Sequence, residues 1–83
     1  MVAHGRVQGV FFRDTTRRAA DSRGVAGWVR NREDGAVEAV FEGEEEAVES
    51  MVRLAGEGPG HAAVEQLDVS EEQPEGLSGF RIA

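Results

Sequence analysis

Near its start the chain reads Gly5-Arg6-Val7-Gln8-Gly9-Val10-Phe11-Phe12-Arg13. Glycine accepts backbone conformations closed to other residues, so a loop flanked by Gly5 and Gly9 can turn successive N–H groups toward one point. The residues that follow read as a helix, whose first N–H groups lack internal partners and carry a partial positive charge. Arg13 falls in that first turn. Its guanidinium is permanently charged and can grip two phosphate oxygens at once. There is no Walker-type Gly-Lys-Ser/Thr and no G-x-G-x-x-G, so neither standard nucleotide loop is present. The pattern suits a small anion. Taken alone, an ordinary strand-to-helix turn with an exposed Arg accounts for it at least as well.

Asn31 is the second chemically interesting residue. It closes Gly27-Trp28-Val29-Arg30-Asn31, a strand candidate that runs into the turn Arg32-Glu33-Asp34-Gly35. Asn is common in turns for local backbone bonding. A neutral amide can also donate to and accept from one water, fixing its lone pair in line with a phosphorus atom. That role requires the end of this strand to lie beside the Gly9 loop, as it would if the first two strands were sheet neighbours. No titratable base accompanies the loop except His4, which is assigned to strand or surface; His61, in the Gly-Pro-Gly turn, is read the same way. Trp28 is expected to fill core or cover a sheet edge.

Charge and composition narrow the field. The net charge is −7, but residues 1–32 hold seven Arg against Asp14 and Asp21 while the remainder holds two Arg against fourteen acids. A basic zone on an acidic body draws in a small anion and repels a polyanion. Acidic residues also simply keep a small protein in solution. The absence of Cys excludes disulfides, thiolate nucleophiles and Cys-ligated metals. The run Glu44–Glu46 has no His or second acidic cluster at ligand spacing, so no metal is expected, and a domain of 83 residues is too small to enclose a large cofactor. No apolar run approaches the ~20 residues needed to span a membrane, and the expected location is the cytoplasm.

The elements that must position Arg13 and Asn31 alternate along the chain. Val2–Val7 is a short strand. A helix is expected from about Phe12 to Arg23, with Phe12, Thr16, Ala19, Ala20 and Arg23 on one face and Gly24 as its stop. Val25–Arg30 and Ala36–Glu42 form a hairpin across Asp34-Gly35. A second helix from about Glu44 to Ala55 places Glu44–Glu46 at the positive end of its dipole and Ala47, Val48, Met51, Val52 and Ala55 on its apolar stripe. Val64–Val69 and Gly79–Ile82 are strands separated by a polar loop. The order is βαββαβ with a terminal strand. It implies an α+β ferredoxin-like sandwich, a four- to five-stranded antiparallel sheet with two helices on one face, forming a single domain over residues 1–83.

These residues resemble the acylphosphatase family. Gly5 to Arg13 is similar to its first signature. Gly27 to Asn31, followed by Asp34-Gly35-Ala36-Val37-Glu38 and Gly43, is similar to its second, and the likeness runs on through Pro59 and Val64 to Gly79-Phe80-Arg81-Ile82. The resemblance implies hydrolysis of an acyl phosphate to a carboxylate and inorganic phosphate, without metal, cofactor or covalent intermediate. It implies that the backbone N–H groups of Gly9, Val10, Phe11, Phe12 and Arg13 bind the phosphate. The Arg13 side chain would neutralise it and Asn31 would orient the attacking water. The segment before Gly5 is shorter than family members usually have, which implies lost ladder bonds. Phe11 stands where relatives often carry Gly or another small residue; pointing outward it would shape access for the acyl part, and pointing inward it would pack on the core.

Two other functions share this architecture. An RNA-binding domain would show aromatics on the open sheet face, yet Glu38 and Glu42 are expected there, Tyr is absent, and the net charge opposes polyanions. A non-catalytic anion-binding or interaction domain would have no reason to keep both Arg13 and Asn31. The reading is therefore an enzyme that is monomeric and acts on a small acyl phosphate, with no nucleic acid or membrane partner.

Overall fold

The computed structural model describes residues 1–83. Seven elements follow one another: β1 (Val2–Arg6), α1 (Phe12–Arg23), β2 (Ala26–Asn31), β3 (Val37–Glu42), α2 (Glu45–Glu57), β4 (Ala63–Asp68) and β5 (Phe80–Ile82). The strands form one sheet in the order β4-β1-β3-β2-β5. This is the ferredoxin-like α+β arrangement expected from the sequence. No helix is long and apolar enough to cross a membrane.

The helices form for local reasons. In α1, Phe12, Thr16 and Ala20 recur every four residues and are all buried, so one stripe faces the sheet. Gly24 ends α1, its N–H reaching the carbonyls of Ala20 and Asp21. In α2, Glu45 and Glu46 lie in the first turn, where negative charge is favourable, and Met51 and Ala55 are buried. Both helices pack on the face that carries Ala3, Val29, Val37 and Ala39, all fully buried. Phe12 and Met51 are the largest buried side chains. Full burial of residues of this kind contributes about 1.5–3 kcal/mol each. Phe41 and Phe80 stack at 5.8 Å where the two clusters of buried residues meet.

Two expectations about the sheet need correction. First, β1 and β2 are not neighbours: β3 lies between them and pairs antiparallel with both. A strand–helix–strand crossover can skip one strand position, and here the returning hairpin strand fills it. Second, β5 runs parallel to β2, with Gly27, Val29 and their partners Phe80 and Ile82 in register, so only β1–β4 are antiparallel. The long polar connection after β4 crosses to the opposite edge and delivers β5 in that direction. The Glu42 carboxylate holds this connection by accepting from the N–H groups of Glu75 and Leu77. The first strand, although short, is paired on both sides: five of its residues align with β4, and the Met1 amino group donates to the Ala39 carbonyl at 2.8 Å. A register shift between His4 and Gly5 lets both Val64 and Leu67 of β4 pack on the core, while Val69, expected within the strand, lies beyond its end and is exposed.

Candidate active site

The β1–α1 connection, residues 7–11, is a tight loop with two left-handed residues, Gly9 at φ 70° and Phe11 at φ 63°. For Gly9 the conformation is unstrained. For Phe11 it costs about 1–2 kcal/mol, and it turns the side chain outward, leaving it 67% exposed. Of the two orientations expected for Phe11, the structure thus has the outward one.

The N–H groups of Gly9, Val10, Phe11, Phe12 and Arg13 donate to no protein acceptor. The loop groups precede the helix and the last two open it, where no carbonyl lies one turn back. Internal bonding resumes at Thr15, whose N–H reaches the Phe11 carbonyl at 3.1 Å. A run of such donors at the positive end of a helix favours an anion.

Arg13 stands at this run. Among nearby carboxylates, Asp14 is engaged by Arg17 at 3.4 Å and Arg18 at 3.1 Å, Asp34 by Arg32 and Glu38 by Arg30, so Arg13 is left without an acidic partner. A depression of about 310 Å³ is lined by Gly9, Phe11, Phe12, Arg13, Asp14, Val7 and Ile82. A larger groove of about 840 Å³ lies elsewhere, between α2 and the β4–β5 connection. Its walls carry Glu45, Glu49, Glu71 and Glu72, which repel an anion, so size does not decide the site.

Of the residues expected in the site, Gly9, Phe11, Phe12 and Arg13 line the smaller depression together. Val10 turns its side chain into the core and contributes only main chain. Asn31 is exposed at the end of β2, opposite Val37 and outside that lining. What joins it to the loop is Gln8. The Gln8 Nε2 donates to the Arg32 carbonyl at 2.8 Å and to the Ala36 carbonyl at 2.9 Å, on both sides of the β2–β3 turn. The turn itself is closed by Arg32 N–H to Ala36 O at 2.8 Å and by Ala36 N–H to the Asp34 carboxylate at 3.1 Å. That backbone bond, followed by Arg32, holds the Asp34 carboxyl below its ordinary value of 3.8. Sequence reasoning missed Gln8, because a Gln inside a glycine-flanked loop has no signature of its own.

The residues set aside earlier fall outside the depression. His4 pairs with Asp68 at 2.9 Å on the open sheet face. Trp28 is only half-buried and carries the Arg30 guanidinium 5.5 Å over its ring. It therefore stands on the open face beside Val40 and Arg81 rather than in the core.

The acylphosphatase family model matches residues 1–82. The chain belongs to the acylphosphatase family. The acylphosphatase of Rubrobacter xylanophilus is 60% identical over 79 residues, covering 94% of this chain and 72% of that protein. The crystal structure of the Bacillus subtilis acylphosphatase superposes with a TM-score of 0.92 at 41% identity, covering 99% of this chain and 92% of that one. The acylphosphatase structure from Coxiella burnetii gives a TM-score of 0.92 at 38% identity, covering 99% and 86% of the two chains. In this acylphosphatase-family enzyme the likeness spans nearly the whole chain.

Proposed function

We propose that this chain, acting as a single domain over residues 1–83, hydrolyses the carboxyl–phosphate bond of small acyl phosphates. The observation that supports the reading is the uninterrupted set of free N–H donors from Gly9 to Arg13, beside an Arg13 guanidinium that no carboxylate claims. In this reading the phosphoryl oxygens sit against those donors and Arg13 takes up their charge. The Asn31 carboxamide holds a water on the far side of the phosphorus. The water oxygen bonds to phosphorus as the phosphorus–acyl oxygen bond breaks. The acyl group leaves as a carboxylate, and both water hydrogens end on the released phosphate. A carboxylate needs little help to leave, so stabilising charge on the phosphoryl oxygens is the main task. Fixed donors perform that task, each worth about 3–4 kcal/mol when removed from comparable sites. We place the enzyme in the cytoplasm as a monomer acting on a small molecule, with no nucleic-acid partner, on the strength of its cysteine-free, acidic composition.

The test compares acetyl phosphate hydrolysis and inorganic phosphate binding in the wild type, Arg13→Ala and Asn31→Ala. Arg13→Ala is expected to lose both. Asn31→Ala is expected to lose turnover and keep phosphate binding. Equal loss of binding in Asn31→Ala would remove it from the water-orienting role.

A further inference from the structure

The turn between α2 and β4 touches the phosphate loop at both ends through one residue. The His61 N–H donates to the Val10 carbonyl at 2.8 Å, and the His61 carbonyl accepts from Arg6 Nη2 at 3.2 Å. Arg6 ends β1 just before the loop, and Val10 lies near the loop's end. The His61 main chain therefore spans the loop's two shoulders. Its approach depends on Gly60, which sits at φ 68° directly against the loop: a Cβ there would run into the Val10 carbonyl oxygen and come within 2.9 Å of the Phe11 carbonyl group. The imidazole adds an edge-on contact to the Phe11 ring at 6.1 Å.

We infer that Gly60 and the His61 main chain are a positioning clasp that sets the direction of the anion-binding N–H groups, an inference that rests on the loop being the phosphoryl site. The peptide between Val10 and Phe11 is planar and trans, so its C=O and N–H point in opposite directions. By fixing the Val10 carbonyl toward the turn, His61 directs the Phe11 N–H away from it, to the side where no protein acceptor meets it. Arg6, holding the His61 carbonyl, keeps the clasp seated. The left-handed strain at Phe11 is what such a bond must sustain, because a free loop would relax it.

The experiment measures inorganic phosphate affinity, and kcat and KM for acetyl phosphate, in Gly60→Ala, Gly76→Ala, His61→Ala and Arg6→Met. Thermal unfolding is followed in parallel. Gly76 shares a positive φ of 75° but has nothing within 4 Å of a would-be Cβ, so Gly76→Ala imposes similar backbone strain without touching the loop. Gly60→Ala is expected to lower kcat/KM about 100-fold, the scale of a roughly 1 Å misplacement. It should weaken phosphate binding at temperatures where it is fully folded, while Gly76→Ala binds as the wild type does. His61→Ala keeps both main-chain bonds and is expected to cost no more than about threefold, by the same misplacement scale. A loss in His61→Ala equal to that in Gly60→Ala would assign the effect to the ring and overturn the clasp. If Gly60→Ala does not fold, Arg6→Met decides. Weaker phosphate binding at every salt concentration supports the clasp, and a loss that vanishes in high salt is mere charge attraction and overturns it. A wild type that neither binds phosphate nor cleaves acetyl phosphate would defeat the functional reading itself. A competent wild type with an unaffected Gly60→Ala would defeat only the clasp.

Discussion

The side-chain amide of Gln8 donates to the main-chain carbonyl of Ala36 at 2.9 Å, which ties the β1–α1 loop to the far side of the β2–β3 turn. Because the same nitrogen also reaches Arg32, next to Asn31, it fixes the distance between the proposed anion site and the proposed water-holding amide. Gln8→Ala is expected to reduce kcat for acetyl phosphate by about 100-fold, as a roughly 1 Å misplacement does. Phosphate affinity should change little, since the loop's own N–H groups are untouched. Steady-state kinetics beside a phosphate titration check this; a parallel loss of affinity would show that Gln8 shapes the cradle rather than the water position.

Arg13 is expected to tolerate no replacement, including Lys. A lysine keeps the charge and loses the planar pair of donors. Arg13→Lys should retain weak, strongly salt-dependent phosphate binding and lose most turnover. Comparing the two at low and high salt separates charge from geometry. Near-normal kcat in Arg13→Lys would mean that charge alone suffices.

A third expectation concerns metal ions. The proposed mechanism assigns charge stabilisation to N–H groups and Arg13, so chelator should leave acetyl phosphate hydrolysis unchanged. A requirement for added Mg²⁺ in the assay would refute the assignment.

Thr16 is 1% exposed and its hydroxyl has no hydrogen-bond partner. A buried hydroxyl left unpaired costs about 1–3 kcal/mol. Thr16→Val replaces it with a methyl of similar size and is expected to stabilise the fold by about 1 kcal/mol. In a domain of this size that raises Tm by about 4–8 °C. Calorimetry checks it, and a lower Tm would show that the hydroxyl has an acceptor in solution.

The Asp34 and Asp68 carboxyls both lie below their ordinary value of 3.8, the first chiefly through the Ala36 N–H and the second chiefly through Gln66 and then His4. A depressed folded-state pKa means the unfolded chain binds the proton first, so stability falls as pH falls. Their contribution is fully present above about pH 4 and disappears as pH drops through the folded values. Urea midpoints measured from neutrality downward should stay level to about pH 4 and then decline, with a shallower decline in Asp34→Asn. An unchanged acid limb in that variant would show that protonation of Asp34 makes no difference to folding.

Much of this arrangement was legible in the sequence because local chemistry carried it. The α1 boundaries followed from the spacing of Phe12, Thr16 and Ala20 and from Gly24, and the hairpin followed from Asp34-Gly35 with Val37, Ala39 and Phe41 alternating inward. The loop's open donors were implied by glycines ahead of a helix. What was illegible depended on distant residues. Whether β1 lies beside β2 is settled by where β3 inserts, and the direction of β5 by a crossing of the sheet, neither of which leaves a periodic trace in three to six residues. Trp28 was misplaced because an aromatic on a half-covered strand reads the same on either face. His61 was set aside for its side chain, whereas its main chain makes the contacts that matter.

One row of the sheet bears on how the enzyme is lost and regained. Met1 bonds to Ala39, Ala39 pairs with Val29, and Val29 accepts from the N–H of Ala83. Ala39–Val29 closes the local β2–β3 hairpin, but Met1–Ala39 and Val29–Ala83 join segments far apart in sequence, as does the pairing of β1 with β4. Non-local pairing of this kind makes folding slow and all-or-none. Catalysis is then an intrinsic gauge of cooperativity: along a denaturant series, enzymatic activity and secondary structure should vanish at one midpoint, with no population that is half-built and still working.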